Sequence, residues 1–413
     1  MRLFTPNFTL LILGQVSSLV GNYTLKFALS MYVLEQTGSA GIFAALLAVS
    51  MVPTILLSPL GGVLADRADR RRVMVALDSL SGLAVLAAAL VLPLGHHLPV
   101  IGALLLVLSA LAAFESPTVQ ACIPQLLSGD NLLRGNAAVS QVQALAGLVT
   151  PFLGSLVYTA FGLLPVLWGA GACFFLTALL ECFLRLTPPP PAEGDGMGAV
   201  IWTDLRASLR FLTGEAPEIL RLLLLAALVS LFVAGTAVVG FPYLVRTVLG
   251  LSAEHYGAAE SAMGVSAILG TALVGILAGR LRAGWLAGVL VGFGVCLIPC
   301  ALAFLLPLTA QGRYAVLLAM FCLCQLGCSL FSTWAVCLIQ RHTPDHLMGK
   351  VMSFVFTLSL CAQPLGQLAY GALFDHFAHC PHWVLLPSGG VVCAIGLASA
   401  PFFSRLEGQT LRP

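Results

Sequence analysis

Gly62-Val63-Leu64-Ala65-Asp66-Arg67-Ala68-Asp69-Arg70-Arg71-Arg72 sets six charged residues within the seven that end it. Its flanks are apolar, over 39–65 before the charges and 73–94 after them. Only 9% of the 413 residues are charged and 59% are hydrophobic, whereas soluble domains carry roughly 25% charge. A single soluble core does not bury that much apolar surface. Lipid is therefore the solvent for most of the chain, and the charged stretch reads as a water-exposed turn between two membrane spans.

A span takes about 20 mainly apolar residues. Working outward from the turn, such runs lie near 7–34, 39–65, 73–94, 98–127, 137–161 and 163–186. After a polar stretch they resume near 218–247, 256–281, 285–307, 313–340, 350–375 and 383–404. The sequence thus predicts an all-α membrane protein of twelve transmembrane helices. The first run is expected to be a retained helix, since no small-residue cleavage site follows it. Basic residues collect on the cytoplasmic side of membrane proteins. With the N-terminus inside, Arg2, Arg67, Arg70, Arg71, Arg72, Arg134, Arg185, Arg206, Arg210, Arg221, Arg280, Arg282, Arg341, Lys350, Arg405 and Arg412 all fall there. Arg246 and Arg313 fall outside, and Lys26 lies within a helix. Both termini are expected to be cytoplasmic, and the protein to be multi-pass in the inner (plasma) membrane.

The predicted organisation is an N-terminal six-helix bundle (1–186), a cytoplasmic linker (187–217), a C-terminal six-helix bundle (218–404) and a tail (405–413). The linker opens on Pro188-Pro189-Pro190-Pro191 and continues through Glu193-Gly194-Asp195-Gly196, stiff and then flexible. In the segment that follows, Ile201, Leu205, Leu209 and Leu212 share one helical face, as in a helix lying on a membrane surface. The halves repeat weakly at an offset of about 213 residues. Gly62 to Arg67 matches Gly275 to Arg280, Asp130 matches Asp345, and Pro151 matches Pro364. Parallel six-helix repeats place a substrate site where the halves meet.

The 62–71 loop resembles the signature loop of the major facilitator superfamily, Gly-x-x-x-Asp-Arg-x-Gly-Arg-Arg, with Asp69 where a Gly is usual. Gly38-Ser39-Ala40, Pro53, Pro59, 127–136 and 204–217 resemble the branch of macrolide-efflux proteins, enterobactin exporters and lysophospholipid transporters. The resemblance implies a gate. Gly62 would allow close helix packing, and Asp66 would face the positive end of a neighbouring helix. Arg67, Arg70 and Arg71 would latch the inner face; the plainer alternative is that these arginines only set topology. Helix five carries Pro151-x-x-Gly154, similar to the antiporter signature, although Thr150 and Ser155 replace usual glycines. Relatives commonly carry Gly-Asp where this chain has Gly21-Asn22. Helices one, four, seven and ten would line the cavity.

Charged and polar groups at membrane depth mark function. Gln15, Ser18, Asn22 and Lys26 form a stripe on helix one, flanked by Tyr23 and Phe27, and Glu115 sits on helix four. Asn22, Tyr23, Lys26, Glu115, Gln325, Trp334 and Gln363 are the expected substrate-binding or coupling residues. Lys26 and Glu115 face each other if the helices bring them to one depth. Phe114, Phe331 and Trp334 offer aromatic walls, with plain packing as the alternative. Asp78 and Glu181 are expected to pair with loop arginines near the cytoplasmic interface. Asp375, His376, His379 and His382 beside Cys380, and Cys322, Cys324 and Cys328, match no closed metal site.

No nucleotide-binding Gly-x-x-x-x-Gly-Lys loop occurs, nor His-Glu-x-x-His or Gly-x-Ser-x-Gly, which speaks against an ATP-driven pump and against the common hydrolases. The net charge of +2 gives no nucleic-acid footprint. The expectation is a non-enzymatic, cofactor-free secondary transporter without a metal site, exchanging protons for a small hydrophobic or amphipathic compound of drug or siderophore type. A lysophospholipid transporter, a nutrient uptake carrier or a non-transporting receptor are the alternatives. Expected partners are the small-molecule substrate, protons and membrane lipid, with the protein a monomer. Gly284, Gly288 and Gly292 at four-residue spacing would pack within that monomer.

Overall fold

The structure, a computed structural model, describes residues 4–128, 130–186, 214, 217–277, 284–343 and 348–410. These residues are helical between short turns. The helices are α1 (Pro6–Thr37), α2 (Ala40–Arg67), α3 (Arg70–Val91), α4 (His97–Leu126), α5 (Asp130–Phe161) and α6 (Leu163–Cys182). They continue as α7 (Pro217–Val248), α8 (Ala253–Leu277), α9 (Trp285–Leu305), α10 (Ala310–His342), α11 (Met348–His376) and α12 (His382–Thr410). The linker expected at 187–217 lies outside the described residues, apart from Gly214 and Pro217.

Among the described residues, eleven helices are long and apolar enough to cross a membrane. The sequence predicts twelve. The run predicted at 350–375 corresponds to α11, a helix of 29 residues, which includes positions whose side chains lie outside the described residues. Large apolar side chains cover much of the surface: Leu56 is 66%, Leu90 65% and Ile276 78% exposed. Water would penalise such a surface, and the chain is a multi-pass membrane protein.

The chain divides into two compact units, Met1–Gln36 with Leu46–Trp202, and Thr37–Ala45 with Thr203–Pro413. Within the first, α3 lies against α4 and α6. Helix α1 reaches α6 through small residues: a side chain at Gly21 would strike Ala170 and Cys173. Phe8, Leu11, Met74, Cys122, Val139 and Leu184 close an apolar cluster at one end. At Gly162, φ is +77°, a conformation glycine adopts without penalty, and there the chain turns from α5 into α6.

Within the second unit, α9 lies along α12, α8 along α10 and α7 along α11. Lipid supplies no hydrophobic drive between helices, so small residues that admit close backbone approach decide the packing. Gly294 faces Gly389 and Cys393, Gly270 faces the Leu326 carbonyl, and Gly366 faces the Leu231 backbone. Leu223, Leu290, Phe293, Phe331, Trp334 and Phe403 form the core between these contacts. Helix α7 widens into π-helical turns over Ala234–Gly240 and Leu244–Val248. There the Tyr370 and Phe374 rings of α11 fill the space above Gly235 and Gly240.

These close approaches give a stability test. Gly366→Val forces a side chain into the Leu231 backbone, and overpacking of this kind costs about 1–3 kcal/mol or more. Its thermal unfolding midpoint in detergent should fall clearly. Gly390→Val, at a position with nothing within 4 Å of an added Cβ, should leave the midpoint unchanged.

Candidate functional site

The first unit holds its acids in the interior. Asp78 on α3 is 0% exposed and Glu181 on α6 is 1% exposed. Asp78 Oδ2 and Glu181 Oε2 are buried without a hydrogen-bond partner among the described residues. Ser18 Oγ of α1 lies 3.4 Å from Asp78 Oδ1 and 3.3 Å from Glu115 Oε1 of α4. Both separations are long for a hydroxyl–carboxylate bond. Four helices thus converge on one polar cluster, with Gln15 of α1 also buried. Thr177 on α6 lies one turn before Glu181 and donates to the carbonyls of Gly14 (3.2 Å) and Cys173 (3.0 Å). Among the described residues no Lys, Arg or His lies within ion-pair distance of Asp78, Glu115 or Glu181.

This corrects the expectation that Asp78 and Glu181 pair with loop arginines at the interface. The sequence carried a signal that depth-counting along the helix missed. Met74, Asp78, Ser81, Gly82 and Val85 are buried on one face of α3, while Leu80, Leu83 and Leu90 are exposed. In lipid the large apolar residues face outward and small or polar ones face in. The serine and glycine beside Asp78 therefore mark it as inward-facing. On α6, Thr177 and Ala178 do the same for Glu181, opposite Leu176 and Leu179.

Lys26 does not join this cluster. With Asn22 it lines a separate cavity of about 200 Å³ among α1, α2 and α4, closed by Met51, Thr54, Leu105 and Ser109. Tyr23 is half-buried nearby. The second unit has a cavity of about 40 Å³, lined by Phe232, Phe293, Phe321 and Cys324, with Gln325 as a polar group on its wall. Drug-sized ligands occupy about 300–1,000 Å³, so neither cavity by itself holds one. Trp334 and Phe331 are buried in the core of that unit. Gln363 is half-buried on α11, one turn before Gln367, which is buried with its Oε1 unpartnered.

The charged loop is ordered from both ends. Asp69 caps α3, accepting from Arg72 N at 3.4 Å and pairing with Arg72 Nε at 3.2 Å. The departure from glycine at that position therefore has a structural use, since aspartate is a strong N-cap. Arg70 donates from Nε to the Ala65 carbonyl (2.7 Å) and from a terminal nitrogen to the Ala121 carbonyl of α4 (3.0 Å). Arg67 and Arg71 are exposed, and the Asp66 side chain lies outside the described residues. The packing role expected of Gly62 belongs to its neighbour. A Cβ at Gly62 meets nothing within 4 Å, whereas one at Gly61 would strike the Ala113 carbonyl and Pro117 of α4. On α5, Pro151 is buried and Gly154 meets Thr24 of α1 at ordinary contact distance.

Residues 11–366 match the profile of the Major Facilitator Superfamily. The chain belongs to the major facilitator superfamily. Macrolide efflux protein A of Streptococcus pyogenes is 24% identical to this major facilitator protein over 392 residues, 92% of each chain. The enterobactin exporter of Citrobacter koseri is 26% identical over 382 residues, 89% of this chain and 85% of that one. A bacterial homologue of the iron transporter ferroportin, in its inward-facing state, shares the fold. Its TM-score is 0.71 at 20% identity, over 95% of this chain and 98% of that one. The protein is a transporter of the superfamily, with efflux pumps among its relatives, and not an enzyme.

One further acid of this major facilitator transporter has a structural post. Asp375, near the end of α11, accepts from Ala40 N (2.7 Å), Gly41 N (3.0 Å) and Ser39 Oγ (2.6 Å). Ser39 Oγ in turn accepts from Ile42 N at 3.1 Å. The first turn of α2 is thus capped by a carboxylate from another helix, at the positive end of its dipole. Removing a cap costs about 0.5–2 kcal/mol. Asp375→Ala should lower the thermal midpoint by a few degrees, with Asp375→Asn, which keeps an acceptor, falling between it and the wild type.

Proposed function

We propose that this chain is a proton-coupled exporter of a hydrophobic or amphipathic small molecule, working by alternating access, with Glu115 as the coupling group. The observation that carries the reading is Glu115 at the centre of the first unit. It is contacted by Ser18 of α1 and has no cation at ion-pair distance among the described residues. An ionised carboxylate in a membrane interior costs several kcal/mol, roughly 2.5–3.5 on insertion scales. A proton removes that cost when it binds and restores it when it leaves. Taking a proton from outside and giving it up inside exchanges one gradient for the other. A cationic substrate competes for the same carboxylate. Asn22, Tyr23 and Lys26 in the first unit, and Gln325, Trp334 and Gln363 in the second, are the proposed substrate-contacting groups.

Drug or siderophore export is favoured by the relatives, which include a macrolide efflux protein and an enterobactin exporter. We place both termini and the 187–217 linker in the cytoplasm and the protein in the plasma membrane as a monomer, surrounded by lipid. The bundles 1–186 and 218–404 are the two moving parts.

Two experiments test this. A gradient of one pH unit is worth about 1.4 kcal/mol per proton, enough to sustain up to about a tenfold concentration ratio in a one-for-one exchange. Proteoliposomes with labelled erythromycin as probe should approach that ratio with wild-type protein. Glu115→Gln should bring it close to one while substrate binding is retained; undiminished accumulation rules Glu115 out. Asp66→Asn should slow transport strongly with membrane insertion intact, because the charged loop latches the inner face; transport at the wild-type rate removes the gate assignment.

A further inference from the structure

The cavity among α1, α2 and α4 holds hydrogen-bond donors that the protein itself does not use. Its polar lining is Asn22, Lys26, Ser50, Thr54 and Ser109. The three hydroxyls are already committed. Ser50 Oγ donates to the Leu47 carbonyl at 2.7 Å, and Ser109 Oγ donates to the Ser50 carbonyl. Thr54 Oγ1, 2.7 Å from Ser109 Oγ, is therefore the donor of that pair. Lys26 and Asn22 differ from them. Neither side chain has a hydrogen bond or ion pair among the described residues, and no Asp or Glu lines the cavity. Lys26 is exposed although it lies well inside α1, between Pro6 and Thr37. An ammonium carries three donors and no acceptor. At membrane depth such a charge is costly unless something of opposite sign meets it.

We infer that Lys26 and Asn22 form an anion-binding subsite, and that the transported compound carries a carboxylate or phosphate group which this cavity receives. Lys26 lies one helical turn after Asn22, so the ammonium and the carboxamide share a face of α1. The ammonium supplies the charge, and the carboxamide, with its NH2 turned to the cavity, supplies further donors. Leu25, Leu105 and Leu108 give the adjoining carbon skeleton an apolar wall. At about 200 Å³ the cavity takes the acidic end of a ligand and leaves the rest of the compound outside it. Glu115 lies on α4, as Ser109 does, but does not line this cavity. The anion and the acid proposed to carry the proton therefore have separate places. The part this subsite plays in transport rests on the proposed substrate contacts of Asn22 and Lys26; anion binding does not, and its test uses no gradient.

Lys26 and Lys350 are the only lysines of the chain, so nitrogen-15 at the lysine Nζ gives one signal for each. Solid-state NMR of the full-length protein in phosphatidylcholine vesicles, with benzoate carrying carbon-13 at its carboxyl as the probe, reads the contact directly. Dipolar coupling to the labelled carbon should attenuate the Lys26 signal and spare that of Lys350. This arm needs no substitution and so no assumption about folding. Benzoate should bind at least about tenfold more tightly than benzamide, the same ring without the charge, because hydrogen bonds to charged groups are the stronger ones. Lys26→Met, which keeps an unbranched side chain and removes the charge, should abolish that preference. Phosphatidylglycerol added in place of benzoate should leave the Lys26 signal where it is. Absence of coupling at Lys26, equal coupling at both lysines, equal affinity for benzoate and benzamide, or an undiminished preference in Lys26→Met overturns the subsite. Displacement of the Lys26 signal by phosphatidylglycerol gives the subsite to a lipid head group and overturns its assignment to the transported compound. Failure of the subsite with Glu115-dependent accumulation intact leaves the transport reading standing, and lost accumulation with benzoate still held at Lys26 does the reverse.

Discussion

A carboxylate taken out of water into a helix bundle must find a cation, a set of donors or a proton. Between its helices the first unit holds three buried or half-buried acids, Asp78, Glu115 and Glu181, with no Lys, Arg or His at ion-pair distance among the described residues. Insertion scales put roughly 2.5–3.5 kcal/mol on each such charge. A chain would not carry that cost on four converging helices for packing alone, because an apolar or small residue would pack as well. The helices are brought to this point by glycine and serine at their contacts, with Gly14, Gly21 and Gly82 meeting α6. The polar cluster and the tight packing are thus one feature, since close backbone approach leaves room only for short side chains and for the carboxyls between them.

The two units differ in their interiors. The second has an apolar core around Phe293, Phe331 and Trp334, with Gln325, Gln363, Gln367 and the Tyr370–Ser388 hydrogen bond of 2.7 Å among its polar groups. Such groups orient a ligand and do not titrate near neutrality.

Spans and turns were legible in the sequence because lipid demands long apolar runs, and a cluster such as Asp66 to Arg72 can only lie in water. The run predicted at 350–375 is present as the helix α11. The widened turns of α7 were not legible, and the Tyr370 and Phe374 rings that fill the space above its glycines come from more than a hundred residues away in sequence. Ser18 and Glu115 were singled out from helical spacing and depth, and their side chains adjoin. Asp78 and Glu181 were misplaced because proximity to a loop was weighed above the face they occupy. Lys26 and Glu115 share a unit but not a cavity wall, and a stripe on one helix does not determine which neighbouring helix it meets. The exchange of Gly62 for Gly61 as the packing residue has the same origin, because one residue's rotation decides which glycine meets α4.

The central claim is that a proton bound among these carboxyls moves against the substrate. Simultaneous recording of labelled substrate and lumenal pH in dye-loaded proteoliposomes tests it most directly, starting with no imposed pH gradient. The account predicts that substrate movement into the lumen drives protons out of it in wild-type vesicles, and that the pH change disappears in Glu115→Gln vesicles. Substrate movement with an unchanging lumenal pH in wild-type vesicles would contradict it.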